Sequence, residues 1–222
     1  MQRQKIKVIA AAIGFVAGNS FATGAQAQAI AGIRIGDEIS SVSKIDAKTL
    51  PKKEAIPHAG KRLKLPDGNE LSLATDPETE KRIVYVEEEW GGKADGRPAD
   101  FPGFVYGKTT LADIRARAKN SGFAFRDRLI EEQTDGLALF NSYEVEGSPD
   151  VVVTFVTKLT KKEVDRMKSD KEFDINAAAQ LDSIILADAR YLDKIWGREK
   201  LKGKRYRPIR WEHPQQAALE PR

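Results

Sequence analysis

The chain has 222 residues, no cysteine, 37 basic against 33 acidic side chains and a formal net charge of +4. Without cysteine it has no disulfide framework and no thiol for a lipoprotein anchor, so its stability has to come from an ordinary apolar core. The length suits one domain of two similar halves, or two small domains.

Arg3, Lys5 and Lys7 precede an apolar run from Val8 to Gly18, and "ATGAQAQA" follows it. A basic start, a short apolar stretch and small residues at Ala25, Ala27 and Ala29 predict a signal peptide over residues 1–29. Cleavage is expected after Ala27 or Ala29, giving a periplasmic or secreted product of a bacterial cell. No later run is long and apolar enough to cross a membrane as a helix. Three basic residues leave with the leader, which brings the remainder close to neutrality. The remaining charge is uneven. Arg190 to Glu212 holds nine basic and three acidic residues, whereas Gln28 to Ala189 holds 24 basic and 29 acidic. A basic tail on a mildly acidic body argues against reading the whole-chain charge as nucleic-acid binding.

A first unit is expected over residues 30–92. Ile33 and Ile35 read as an extended entry. Ile39, Val42 and Ile45 recur every three residues as the buried stripe of a helix opened by Asp37 or Glu38. "KRLKL", "ELSLAT" and "KRIVYVEEEW" alternate apolar and polar residues as half-buried strands do, separated by the turn formers "PDGN" and "DPETE". Residues 93–103 are rich in Gly, Pro and Asp and read as a linker. A second unit over 104–159 repeats the order. Leu111 and Ile114 stand where Ile39 and Val42 stood, and three strand-like runs follow: "GFAFRDRLIEEQ", "GLALFNSYEV" and "DVVVTFVTKL". Asp135-Gly136 lies 68 residues after Asp67-Gly68, and Val151 lies 68 after Ile83. A helical region is expected over 160–197. It holds a short helix in "TKKEVDRMK" and a long one capped by Asp174, with Ala178, Leu181, Ile185, Ala189, Leu192 and Trp196 on one stripe and Gly197 as the stop. The predicted class is therefore α+β: two tandem units, each a helix and a three-stranded antiparallel meander, plus a long C-terminal helix.

Gly107-Lys108-Thr109 imitates the end of a phosphate-binding loop. Gly103 precedes Gly107 by four positions rather than five, and Pro102 has no N–H to turn toward a phosphate. Thr110 and Asp113 instead have capping-box spacing, with Lys108 and Thr109 expected to face solvent. No ATP, cofactor or metal is predicted. The two histidines, His58 and His213, lack patterned partners, and no nucleophile motif is present. Glu87 to Glu89 alternate faces on a strand and read as a solvated edge or strand end rather than an acid/base pair. The residue group with the clearest binding chemistry is the basic tail, 198–222. There Lys200, Lys202, Lys204, Arg205, Arg207 and Arg210 surround Tyr206 and Trp211, a set able to engage anions or a partner protein. The bland counterpart is a tail folded back on the acidic body.

Gly36, Ile39 and Val42 in the first unit, and Gly107, Thr109, Thr110, Leu111 and Ile114 in the second, carry a resemblance to the SmpA/OmlA family. The tandem pair resembles the β-lactamase-inhibitor-protein fold. The likeness spans about residues 32–159 and lacks the family's lipid-attachment cysteine. It implies an envelope protein that works by binding another protein. The expected function is thus a non-enzymatic binding or assembly module with an envelope protein as partner. The alternatives are a binder of anionic membrane surfaces through the tail, or a small periplasmic enzyme using Asp and Glu. Nucleic acid is disfavoured as a partner.

Overall fold

The computed structural model describes residues 28–51, 59–101, 103–204 and 206–210. Its ten strands are β1 (Lys48–Thr49), β2 (Ala59–Lys64), β3 (Glu70–Thr75), β4 (Ile83–Glu89), β5 (Phe123–Phe125), β6 (Ile130–Gln133), β7 (Gly136–Val145), β8 (Ser148–Thr160), β9 (Gln180–Asp188) and β10 (Lys200–Lys202). Four short helices join them: α1 (Leu111–Ala118), α2 (Lys161–Ser169), α3 (Ile175–Ala178) and α4 (Ala189–Ile195). The strands form one sheet in the order β1-β2-β3-β4-β9-β8-β7-β5-β10, with β6 also on β7. Every strand pair is antiparallel. The class is therefore mainly β, and the expected α+β arrangement is corrected.

The largest correction falls on the C-terminal helix. The segment read as a helix from Ile175 to Trp196 is one turn of α3, then the strand β9, then the two turns of α4. β9 lies between β4 and β8, so the strands of both expected units pair with it in the same sheet. Both of its faces are covered: Leu181, Ile184 and Leu186 belong to one core cluster, Ile185 and Ala187 to another. A strand buried on two faces shows no alternation, and its unbroken apolar run gave enough matches at three- and four-residue spacing to imitate a helix. The β-branched pair Ile184-Ile185 favours the strand.

The other elements follow local chemistry closely. The stripe Ile39, Val42, Ile45 becomes a 3₁₀ helix, Ile39–Lys44, in place of the expected α-helix, and only Val42 is buried within it. A strict spacing of three suits three residues per turn. Thr110 caps α1, accepting from the Asp113 N–H while the Asp113 carboxylate accepts from the Thr110 N–H. Thr160 and Glu163 make the same box on α2. The turn after β6 needs a glycine for space, since a Cβ on Gly136 would lie 1.8 Å from the Leu159 carbonyl oxygen.

The sheet carries a core on each face. On the first, Leu71, Leu73, Val86, Leu186, Val153 and Phe155 are covered by Ile30, Ile33, Val42, Phe101, Tyr106 and Ile114. On the second, Tyr85, Ile185, Val152, Val156 and Phe140 are covered by Tyr191, Leu192 and Trp196 of α4 and its end. Among the described residues no helix is long and apolar enough to cross a membrane.

Candidate functional site

The acidic hairpin of β7 and β8 receives much of the basic tail. β10 pairs with β5, setting Lys200 opposite Phe125 and Lys202 opposite Phe123. The Lys200 ammonium lies 3.5 Å from the Glu144 carboxylate and 5.1 Å from the centre of the Phe123 ring. The Tyr206 hydroxyl donates to the other Glu144 oxygen, and Arg210 donates to Glu146 at 2.9 Å. Ile209 exchanges backbone bonds with Glu144 and Glu146. Burial works to raise the Glu144 pKa, but the Tyr206 hydroxyl and Lys200 outweigh it and hold the carboxyl below its ordinary value. Burial and the same carboxylate push the Tyr206 phenol up. Lys200, Tyr206 and Arg210 are thus engaged by the body. Lys202, Lys204 and Arg207 are exposed, the Lys202 ammonium standing 4.5 Å over the Tyr206 ring. Arg205 and Trp211 lie outside the described residues.

Beside the tail the sheet edge changes character. β5 and β6 both pair with the same side of β7. β10 covers β5, whereas among the described residues no strand pairs with the outer side of β6. Leu129 and Ile130 stand at this junction, 43% and 53% exposed, with Leu201 on β10 at 43%. Ile130 opposes Leu139 and Glu132 opposes Leu137, so Ile130 prolongs a half-buried apolar strip across β7.

On the second sheet face, a cleft of about 150 Å³ is lined by Glu87, Glu89, Arg128, Glu131, Lys158, Asp182 and Trp196, among others. The Glu87 carboxylate accepts from the Tyr85 hydroxyl at 2.8 Å and from Ser183 at 2.9 Å. Lys158 pairs with Asp182 at 3.0 Å, and Arg128 pairs with Glu131 while stacking over Phe140. Burial raises the Asp182 pKa; burial alone would lower Lys158, but Asp182 raises it. These are the marks of half-buried ion pairs. Among the described residues no three His, Cys, Asp or Glu side chains are grouped to hold a metal.

The Glu87–Glu89 run closes β4, as the strand-end reading expects, but it is not a solvated edge: Glu87 and Glu89 are half-buried. β4 is interior to the sheet, and Glu88 is fully buried on the face opposite Glu87. One Glu88 oxygen accepts from the Ala99 N–H at 2.9 Å and the other from the Asn69 amide at 2.8 Å. The same Asn69 amide reaches the Arg97 carbonyl at 3.2 Å. Burial pushes the Glu88 pKa up to about 7, with Asp67 and Asp100 adding to the rise. No sequence signal marked Glu88, because its burial depends on the 91–101 segment crossing over it.

The Gly107-Lys108-Thr109 stretch is tied to the edge of β9. The Gly107 N–H bonds to the Leu181 carbonyl, and the Leu181 N–H returns a bond to Thr109. Gly107 takes a φ of +67°, and a Cβ there would strike the Trp90 ring at 2.5 Å. Thr109, expected from sequence to face solvent, is instead buried, and its hydroxyl accepts from the Val105 N–H. Lys108 is exposed and pairs with Asp95. Comparison with protein-family models, curated proteins and solved structures gives no match to this chain.

Proposed function

We propose that this chain is an exported, non-enzymatic binding module of the bacterial envelope, and that it captures an extended segment of a partner protein along the outer edge of β6. The observation that carries the reading is the half-covered sheet edge. The chain's own β10 adds to β5 as an antiparallel strand, and the adjoining β6, uncovered among the described residues, has an edge flanked by the exposed Leu129 and Ile130. Uncovered edges with exposed apolar side chains are where a second chain adds by main-chain hydrogen bonding. Glu132, exposed on β6, favours a partner segment carrying a basic residue among apolar ones. The leader-like residues 1–29 and the family resemblance support the envelope location. The Ile30 N–H donates to the Ile33 carbonyl in the folded chain, so cleavage after Ala27 leaves this turn intact.

The test places a photo-crosslinking amino acid at position 132 of the exported protein in cells, with and without Ile130→Lys. Crosslinks confined to one basic segment of one envelope protein, and lost with Ile130→Lys, are expected. Crosslinks scattered over many proteins, or unchanged by the lysine, would overturn the reading.

A further inference from the structure

The segment 91–101 connects β4 to the approach to α1 and crosses the first face of the sheet. Several bonds tie it down, among them the ion pair of Asp95 with Lys108. The Trp90 indole donates to the Lys93 carbonyl, the Tyr106 N–H donates to Gly96, and the Asp100 carboxylate accepts from the Gly32 N–H. The central tie is the Glu88 carboxyl, which reaches up from the sheet to the Ala99 N–H and, through Asn69, is linked to the Arg97 carbonyl. Beneath the segment, Phe101 packs edge-on against Phe155. We propose that this segment is a pH-gated strap, held over the sheet by the Glu88 carboxyl and loosened as that carboxyl ionises.

The physical basis is where the charge would sit. Glu88 is fully buried, so its ionised form loses hydration that two hydrogen bonds only partly replace. The charged groups facing it add to the cost. Asp67 comes from the turn between β2 and β3, Asp100 from the strap, and Tyr106 is a neutral phenol whose own ionisation burial and Glu88 oppose. Of the strap's cations, Lys93 lies against Gly68, and Arg97 acts on Asp95. Opening the strap returns Glu88 to water and to an ordinary carboxyl pKa. The closed strap therefore holds the proton more tightly than the open one. Its closure is favoured most below the ordinary value of 4.5 and weakens as pH rises toward about 7, above which the effect is flat. With those two values the opening constant grows about 70-fold between pH 5 and pH 8.

Hydrogen–deuterium exchange on the full mature chain tests this, with each rate corrected for the intrinsic pH dependence of amide exchange. Protection across 94–106 is expected to fall about 70-fold from pH 5 to pH 8, while peptides of β8 and β9 show no parallel fall. In Glu88→Gln the strap's protection should be level across this range. A constant protection in the wild type, the same fall in Glu88→Gln, or a parallel fall in β8 and β9 would overturn the proposal. Should Glu88→Gln fail to fold, Asp100→Asn keeps the carboxyl and both its donors, Ala99 and Asn69. It should move the midpoint of the strap's transition to lower pH, and an unmoved midpoint would count against the gate.

Discussion

Replacing Leu186 and, separately, Ile185 by alanine tests whether residues 180–188 are a strand buried on both faces. Leu186 is fully buried against the first core, opposite Val86 and Val153, while Ile185 is 1% exposed in the second, opposite Glu87 and Thr154. Each substitution removes three carbons. At about 0.8 kcal/mol per buried methylene that is about 2.4 kcal/mol of transfer free energy. The cavity left between close-packed neighbours brings each to about 3 kcal/mol. With a urea m-value of roughly 2–3 kcal/mol/M, each midpoint should drop by about 1–1.5 M with the slope unchanged. A helix with Leu181, Ile185 and Leu192 as its buried stripe makes a different forecast. At about 100° per residue, Leu186 lies roughly a quarter turn off that stripe and would cost little. Equal losses at 185 and 186 in tryptophan-monitored urea titrations support the strand. A Leu186→Ala loss under about 1 kcal/mol beside a full loss at Ile185 would refute it.

Two further outcomes are expected. Gly136→Ala should destabilise the β7–β8 hairpin by more than about 2 kcal/mol, since the new Cβ meets the Leu159 carbonyl oxygen at 1.8 Å; a thermal melt within a degree or two of the wild type would contradict the backbone placement there. Tyr206→Phe removes a hydroxyl that donates to the Glu144 carboxylate and should loosen the tail by about 1 kcal/mol. The Glu144 pKa is depressed in the folded chain, so its stabilisation is present above the ordinary carboxyl pKa and is lost as pH falls through the folded value. The variant should therefore lose less stability than the wild type between pH 7 and pH 3, and identical acid limbs in urea titrations would contradict a docked tail.

Elements with strong local codes were legible in the residues. β3 and β7 match "ELSLAT" and "GLALFNSYEV" end to end, because alternation and flanking turn residues both mark them. The α1 capping box was readable from Thr110 and Asp113 alone, since both partners lie within one turn. The tail's basic composition was plain as well. Its docking was not, because Glu144 lies 62 residues from Tyr206 and nothing local pairs them.

The rest depended on which surfaces meet. β9 carries the same residues whether it covers a sheet as a helix or fills its centre as a strand. The partners β4 and β8, which take up its backbone N–H and C=O groups and cover both its faces, decide for the strand. Glu87, Glu88 and Glu89 form one acidic run in the sequence. In the fold, two of them line a charged cleft, and the third is sealed beneath the 91–101 strap with its pKa raised. Local propensity and turn chemistry lie along the chain and so are written in it. Burial, ion pairing and the pairing of β6 with β7 are set by neighbours that local sequence does not name, and only the assembled sheet brings them together.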